Sequence, residues 1–160
     1  MVGELLGFGL RVDKDRSIAR LRWLLDAGAS YFIDLSYLSS SASETYESTL
    51  LNLAGEYGKD IKYVGIPTSA QQLPRKKIIQ FILDLIDEAL EQGHTVYIHD
   101  AYRNVTEIVL GCYFVRRGMS SPEALKELAR IRQGSLDGWR RAPAQERARR
   151  LVRKWDRSVP

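Results

Sequence analysis

The chain reads as an α/β protein with a mainly parallel central sheet flanked by helices. Two observations lead there. Short runs of strand character (Tyr31–Leu35, Ile61–Ile66 and Thr95–His99) alternate with longer segments whose apolar residues recur at helical spacing. Thr95–His99 is almost wholly apolar, as expected of a strand covered on both faces, which places it centrally in a parallel sheet.

Taken in order, Asp15 or Ser17 caps a helix running to about Ala27, with Ile18, Leu21, Leu24 and Leu25 on one face and Gly28 as its stop. Tyr31–Leu35 is a buried strand. Tyr37–Ser43 is rich in serine and reads as a loop before a helix over Glu44–Tyr57, ended by Gly58. Ile61–Ile66 is the next strand, closed by Pro67. Pro74 stands where a helix begins, because its fixed φ suits the first turn. That helix runs to Gln92 on a wide apolar face of Ile78, Ile79, Ile82, Leu83, Ile86 and Ala89, and Gly93 ends it. After the strand Thr95–His99 come a turn, a helix over Thr106–Arg117 stopped by Gly118, a helix from Ser120 or Ser121 to about Gln133, and a last helix over Pro143–Asp156.

A chain of 160 residues, 44% hydrophobic and 28% charged, fits a single domain over 1–160 with a core that needs neither disulfide nor metal. The one cysteine, Cys112, excludes an internal disulfide and suits a reducing cytoplasm. The apolar stretches are short and charge-broken, and Met1–Leu10 lacks a basic region ahead of its apolar residues. Neither a membrane span nor a signal peptide is expected. The net charge of +4 is uneven: a surplus of Lys and Arg from Arg130 onward leaves the rest slightly acidic. A basic C-terminal helix is a solvated face in the first instance and a nucleic-acid surface in the second.

The informative segment runs from Val96-Tyr97-Ile98-His99-Asp100 through Ala101-Tyr102-Arg103-Asn104-Val105 to Thr106-Glu107 and the helix beyond. It resembles the signature region of dual-specificity and tyrosine phosphatases, where a strand ending in His-Cys leads through a short loop to Arg, a hydroxyl residue and a helix. Arg20–Gly28 followed by Phe32–Leu35, Ile66-Pro67 followed by Pro74, Ser121–Leu125, and Pro143–Trp155 resemble further parts of the same family, in its bacterial form. The resemblance implies a single phosphatase-like domain of three layers. In that family the loop cysteine is the nucleophile, loop amides and the arginine hold the phosphate, and an aspartate on a separate loop protonates the leaving group.

At the matching positions this chain has other residues. Asp100 stands for the cysteine. Thr106, or Val105 if the loop is one residue shorter, stands for the arginine, and Glu107 for the following hydroxyl residue at the family's spacing. The loop lacks glycine, and Ile66–Pro74 lacks an acid. Cys112 falls on the apolar side of the following helix, away from the loop.

These departures lead to a phosphatase-like protein without phosphatase chemistry, a pseudophosphatase. Its rebuilt cleft would take a non-phosphate ligand, cationic or amine, or a protein partner. The alternative is a repurposed enzyme of cyclase or lyase type, with Asp100, helped by Glu107 or His99, as general acid/base on an amine- or guanidine-bearing small molecule. Tyr102, Arg103, Asn104, Thr106, Thr68 and Ser69 are the expected ligand-facing residues. Arg103 pairing with Asp100 or Glu107 would leave the pocket neutral. In the family the histidine at the place of His99 supports the loop by hydrogen bonding. His94 lies in a turn and is expected to be solvent-exposed. Two histidines and scattered acids have no metal-ligand spacing, so no metal and no cofactor is expected.

Overall fold

The structure, a computed structural model, describes residues 5–7, 14–36, 40–68, 73–100, 104–133 and 144–156. In chain order the elements are β1 (Leu5–Gly7), α1 (Lys14–Asp26), β2 (Tyr31–Asp34), α2 (Ser40–Glu56), β3 (Lys62–Gly65), α3 (Lys76–Glu91), β4 (Val96–His99), α4 (Asn104–Arg116), α5 (Ser121–Gln133) and α6 (Ala144–Asp156). The strands form one sheet in the order β1-β4-β2-β3, with every neighbouring pair parallel. The apolar strand β4 is central, as its composition predicts.

Strand alternation sorts side chains between two cores. On one face, Phe32 and Tyr97 pack with Leu21, Leu24 and Leu25 of α1 and Leu50, Leu53 and Ala54 of α2. On the other, Tyr31, Ile33, Val96 and Ile98 meet Ile79, Ile82, Leu83 and Ile86 of α3 and Val105, Ile108 and Val109 of α4. Each such fully buried Leu or Ile contributes roughly 1.5–3 kcal/mol relative to exposure. The result is three layers, helix–sheet–helix, with α5 and α6 packed outside α4 through Ala124, Leu128, Ala148, Val152 and Trp155. Helix α4 is therefore covered nearly all round, which accounts for its apolar residues on every side.

The register brings three strand ends level. Asp34, the last residue of β2, lies opposite His99 of β4 on one side and Gly65 of β3 on the other. The carboxyl edge of a parallel sheet is where open α/β folds place ligands.

All four predicted glycine stops hold. The end of α1 shows the mechanism: Gly28 has φ +90°, which a side chain resists, and Gly28 and Ala29 N–H donate back to the Leu25 and Leu24 carbonyls. Several boundaries differ: α1 begins at Lys14, ahead of both expected caps Asp15 and Ser17, and α4 begins at Asn104, two residues ahead of Thr106. Helix α2 begins at Ser40, so part of the stretch read as a serine loop is its first turn; serine is at home there, where backbone N–H groups lack helical partners. Helix α3 begins at Lys76 rather than at Pro74, because Arg75 is its extended N-cap residue, with ψ 148°. Strand β1 was not predicted, since three residues are too few to show an alternation. No helix among the described residues is long and apolar enough to cross a membrane.

Candidate functional site

Asp100 follows directly on β4, four residues before α4 begins, and is buried. Its carboxylate reaches forward onto the helix start. Val105 N–H donates to Asp100 Oδ2 at 3.1 Å and the Thr106 hydroxyl donates to Oδ1 at 2.8 Å. The first amides of a helix have no partner within it and carry partial positive charge, so a carboxylate there is stabilised by hydrogen bonds and by the helix dipole. Asp100 and Thr106, both named from the sequence, are thus one unit: an internal anion on the N-terminus of α4.

His99 turns to the opposite face of the sheet. It is buried, with Nδ1 3.8 Å from Asp34 Oδ1, a charge-range contact longer than a hydrogen bond. Its ring stacks on Tyr97 at 5.3 Å and lies 4.9 Å from the Tyr46 ring. Burial outweighs the attraction of Asp34 and holds the His99 pKa down to about 4, with Arg20 lowering it further, so the imidazole is neutral at pH 7.

Asp34 itself was not singled out from the sequence. It is buried, accepts Ser36 N–H at Oδ1 (2.8 Å) and accepts the Tyr63 hydroxyl at Oδ2 (2.9 Å). Burial, followed by the charge and the hydrogen bond of Asp34, pushes the Tyr63 hydroxyl well above its ordinary range. The available signal was an acid closing the otherwise apolar run Tyr31–Asp34, whose four residues are all buried. Tyr63 and Asp34 are 29 positions apart, so no local pattern joins them. Outside this unit lies an open cleft of about 370 Å³ lined by Asp34, Ser36, Glu47, Tyr63 and the segment Gly65 to Pro67.

The other expected site residues divide. Thr68 is buried, and its hydroxyl donates to the Leu35 carbonyl, tying the segment after β3 to the end of β2. Glu107 is buried and lines a small cavity with Leu125 and Leu128 of α5 and Ala148 and Arg149 of α6. It is therefore on a different side of α4's first turn from the Asp100–Thr106 pair. Ser69, Tyr102 and Arg103 and the side chain of Asn104 lie outside the described residues. His94, expected in solvent, is instead partly buried: Nδ1 lies 3.0 Å from Ser30 Oγ and its ring packs 5.5 Å from that of Tyr31. Cys112 is fully buried and desolvation pushes its thiol up to about 12, consistent with a packing residue. The described cations of the C-terminal helix, Arg147, Arg149, Arg150, Arg153 and Lys154, are on the exposed side of α6. Among the described residues no three His, Cys, Asp or Glu side chains are grouped to hold a metal.

A sheet of this order, with a helix starting where β4 ends, defines the class: the chain has the fold of the dual-specificity and tyrosine phosphatases. Among solved structures it superposes on Tk-PTP in its active form with a TM-score of 0.68 at 16% identity, covering 98% of this chain and 94% of that one. PTPMT1 in complex with PI(5)P matches with a TM-score of 0.64 at 15% identity over 96% and 90% of the two chains. Human DUSP28 matches at 0.60 and 14% over 89% and 84%. No family sequence model matches the chain.

Proposed function

We propose that this protein is a phosphatase-like binding protein without phosphatase chemistry, whose anion site is occupied by its own side chain. The observation that carries the reading is the Asp100 carboxylate on Val105 N–H and Thr106 Oγ. In the fold's enzymes a thiolate stands at that residue and the helix start faces the substrate phosphate. Here a carboxylate is built into the chain, takes the first available donors, and repels a second anion at close range. The positions that match the family's motif add to this: neither Thr106 nor Val105 can clamp a phosphate as arginine does.

The ligand of such a protein is a non-phosphate one, a small amine or cation or a protein partner, held at the carboxyl edge of the sheet. A role for Asp100 as general acid/base is less favoured, because both its oxygens already accept hydrogen bonds in a buried setting.

The test is turnover of p-nitrophenyl phosphate and of phosphotyrosine and phosphoserine peptides by the wild type and by Asp100→Cys. The expected result is no turnover by the wild type and none restored by the cysteine, since no arginine clamp or acid accompanies it. Hydrolysis by the wild type that disappears in Asp100→Ala with the fold intact would overturn the proposal.

A further inference from the structure

Helix α3 changes character along its length. Its first two turns hold Lys76 and Lys77 and no acid, and Arg75 precedes them as the N-cap residue. The acids begin at Asp84, about 12 Å further on at 1.5 Å per residue. They are engaged there: Asp84 and Asp87 with Arg116 of α4 at 2.7 and 2.9 Å, and Glu88 with Gln92. The basic end is therefore set apart from the acids that could neutralise it. Residues 92–95 alone join α3 to the start of β4, so this basic end points towards the carboxyl ends of the strands.

A second base-rich element meets it. Lys76 Nζ lies over the Trp155 ring, 5.7 Å from its centre, which brings the C-terminal end of α6 against the first turn of α3. Lys154, beside Trp155 in the chain, is exposed, as are Arg75, Lys76 and Lys77. The two helix ends form one basic surface.

The same end of α3 also shows apolar side chains to water. Leu73 is 43% exposed, Ile78 37% and Phe81 56%. A single exposed leucine is ordinary, but these are grouped. Ile78 and Phe81 stand three positions apart, as neighbours on one flank of the helix, and Leu73 enters the same turn two residues before Arg75. An apolar patch rimmed by charge marks an interaction surface.

We propose that the first turns of α3, with the adjoining end of α6, dock on the surface of an anionic phospholipid bilayer. Leu73, Ile78 and Phe81 enter the headgroup layer, and Arg75, Lys77 and Lys154 meet the anionic headgroups. This is association with a surface, not a span, and it is independent of the Asp100 reading. The mixture of side chains selects the occupant. A nucleic-acid backbone would take the bases and leave the apolar residues in water, and an apolar protein surface would leave the bases unpaired. A bilayer presents anionic headgroups and acyl chains at adjoining depths.

The experiment is co-sedimentation of the full chain with vesicles of phosphatidylcholine and phosphatidylserine, in a ratio of about two to one, against vesicles of phosphatidylcholine alone. The chain is expected to sediment with the first and not with the second, and to be released as salt is raised. Each base near an anionic leaflet is worth about fivefold in affinity, so Arg75→Gln/Lys77→Gln is expected to weaken binding by about 25-fold. Phe81→Ser is expected to weaken it by about tenfold. All three side chains are exposed, so these variants keep the fold. Lys59→Gln removes an exposed base ahead of β3, at the other end of the sheet, and is expected to change nothing. No sedimentation with the phosphatidylserine vesicles, equal losses in Lys59→Gln and Arg75→Gln/Lys77→Gln, or unchanged affinity in Phe81→Ser would each overturn the inference. So would binding of a DNA duplex in place of the vesicles, or self-association of the chain that Phe81→Ser abolishes. Each of these outcomes leaves the Asp100 reading standing, since that is tested on phosphate substrates.

Discussion

Two adjacent residues, His99 and Asp100, serve opposite faces of the sheet because neighbours on a strand point opposite ways. Asp100 meets the start of α4, and His99 meets Asp34 and two tyrosine rings. The consequence for His99 is a pH dependence. Its pKa is about 4 in the folded chain against 6.5 for the free side chain. Between those values the unfolded chain takes up a proton that the folded chain refuses. Stability from this source is complete above pH 6.5 and is lost progressively as the pH falls towards 4, by up to about 3 kcal/mol. Urea midpoints measured at pH 7 and pH 4.5 are expected to fall less in His99→Gln than in the wild type; equal falls would contradict the buried neutral histidine. Of the residues at this scale, Asp100, Thr106 and His99 were legible because they are contiguous with a motif. Asp34, Tyr63 and Tyr46 were not, because their contacts join positions far apart in the chain and no spacing rule connects them.

At the scale of elements, α4 is the hinge of the design. It carries the internal anion at its start and is enclosed by the sheet, α3, α5 and α6. Gly111 is what lets α6 approach: a Cβ there would stand 2.5 Å from Val152 Cγ2 and 3.1 Å from Leu128 Cδ1. Valine is stiff and cannot swing clear, so Gly111→Ala forces the helices apart. The expected cost is about 1–3 kcal/mol, partly recovered in the Gly111→Ala/Val152→Ala pair. Chemical denaturation of the four members of that cycle checks it, and additive losses would mean the contact is not the cause. Most elements were readable, since α1 and α3 have helical periods and glycine stops, and the three longer strands are short runs of branched and aromatic residues between helices. The errors fell where composition is ambiguous. Serines at Ser40 and Ser41 suit a loop and a helix start equally, and β1 is too short to have a period.

The whole molecule keeps the architecture of a phosphatase, with the strand ends level and a helix dipole aimed at the place where β4 gives way to α4. That geometry favours an anion whatever the side chains are. On the reading proposed above, Asp100 supplies one from within, so the fold's built-in preference is met by the chain's own carboxylate. The order of elements made the fold legible from sequence. The cleft beside Asp34 was not legible, because it is assembled by the parallel register of β2 and β3, which only the folded sheet creates. The most direct test is a titration of the ¹⁵N-labelled wild type with inorganic phosphate, read at the Val105 and Thr106 amides. If Asp100 fills the anion site, both resonances stay in place through the titration; saturable movement of these two amides in the wild type would contradict the account.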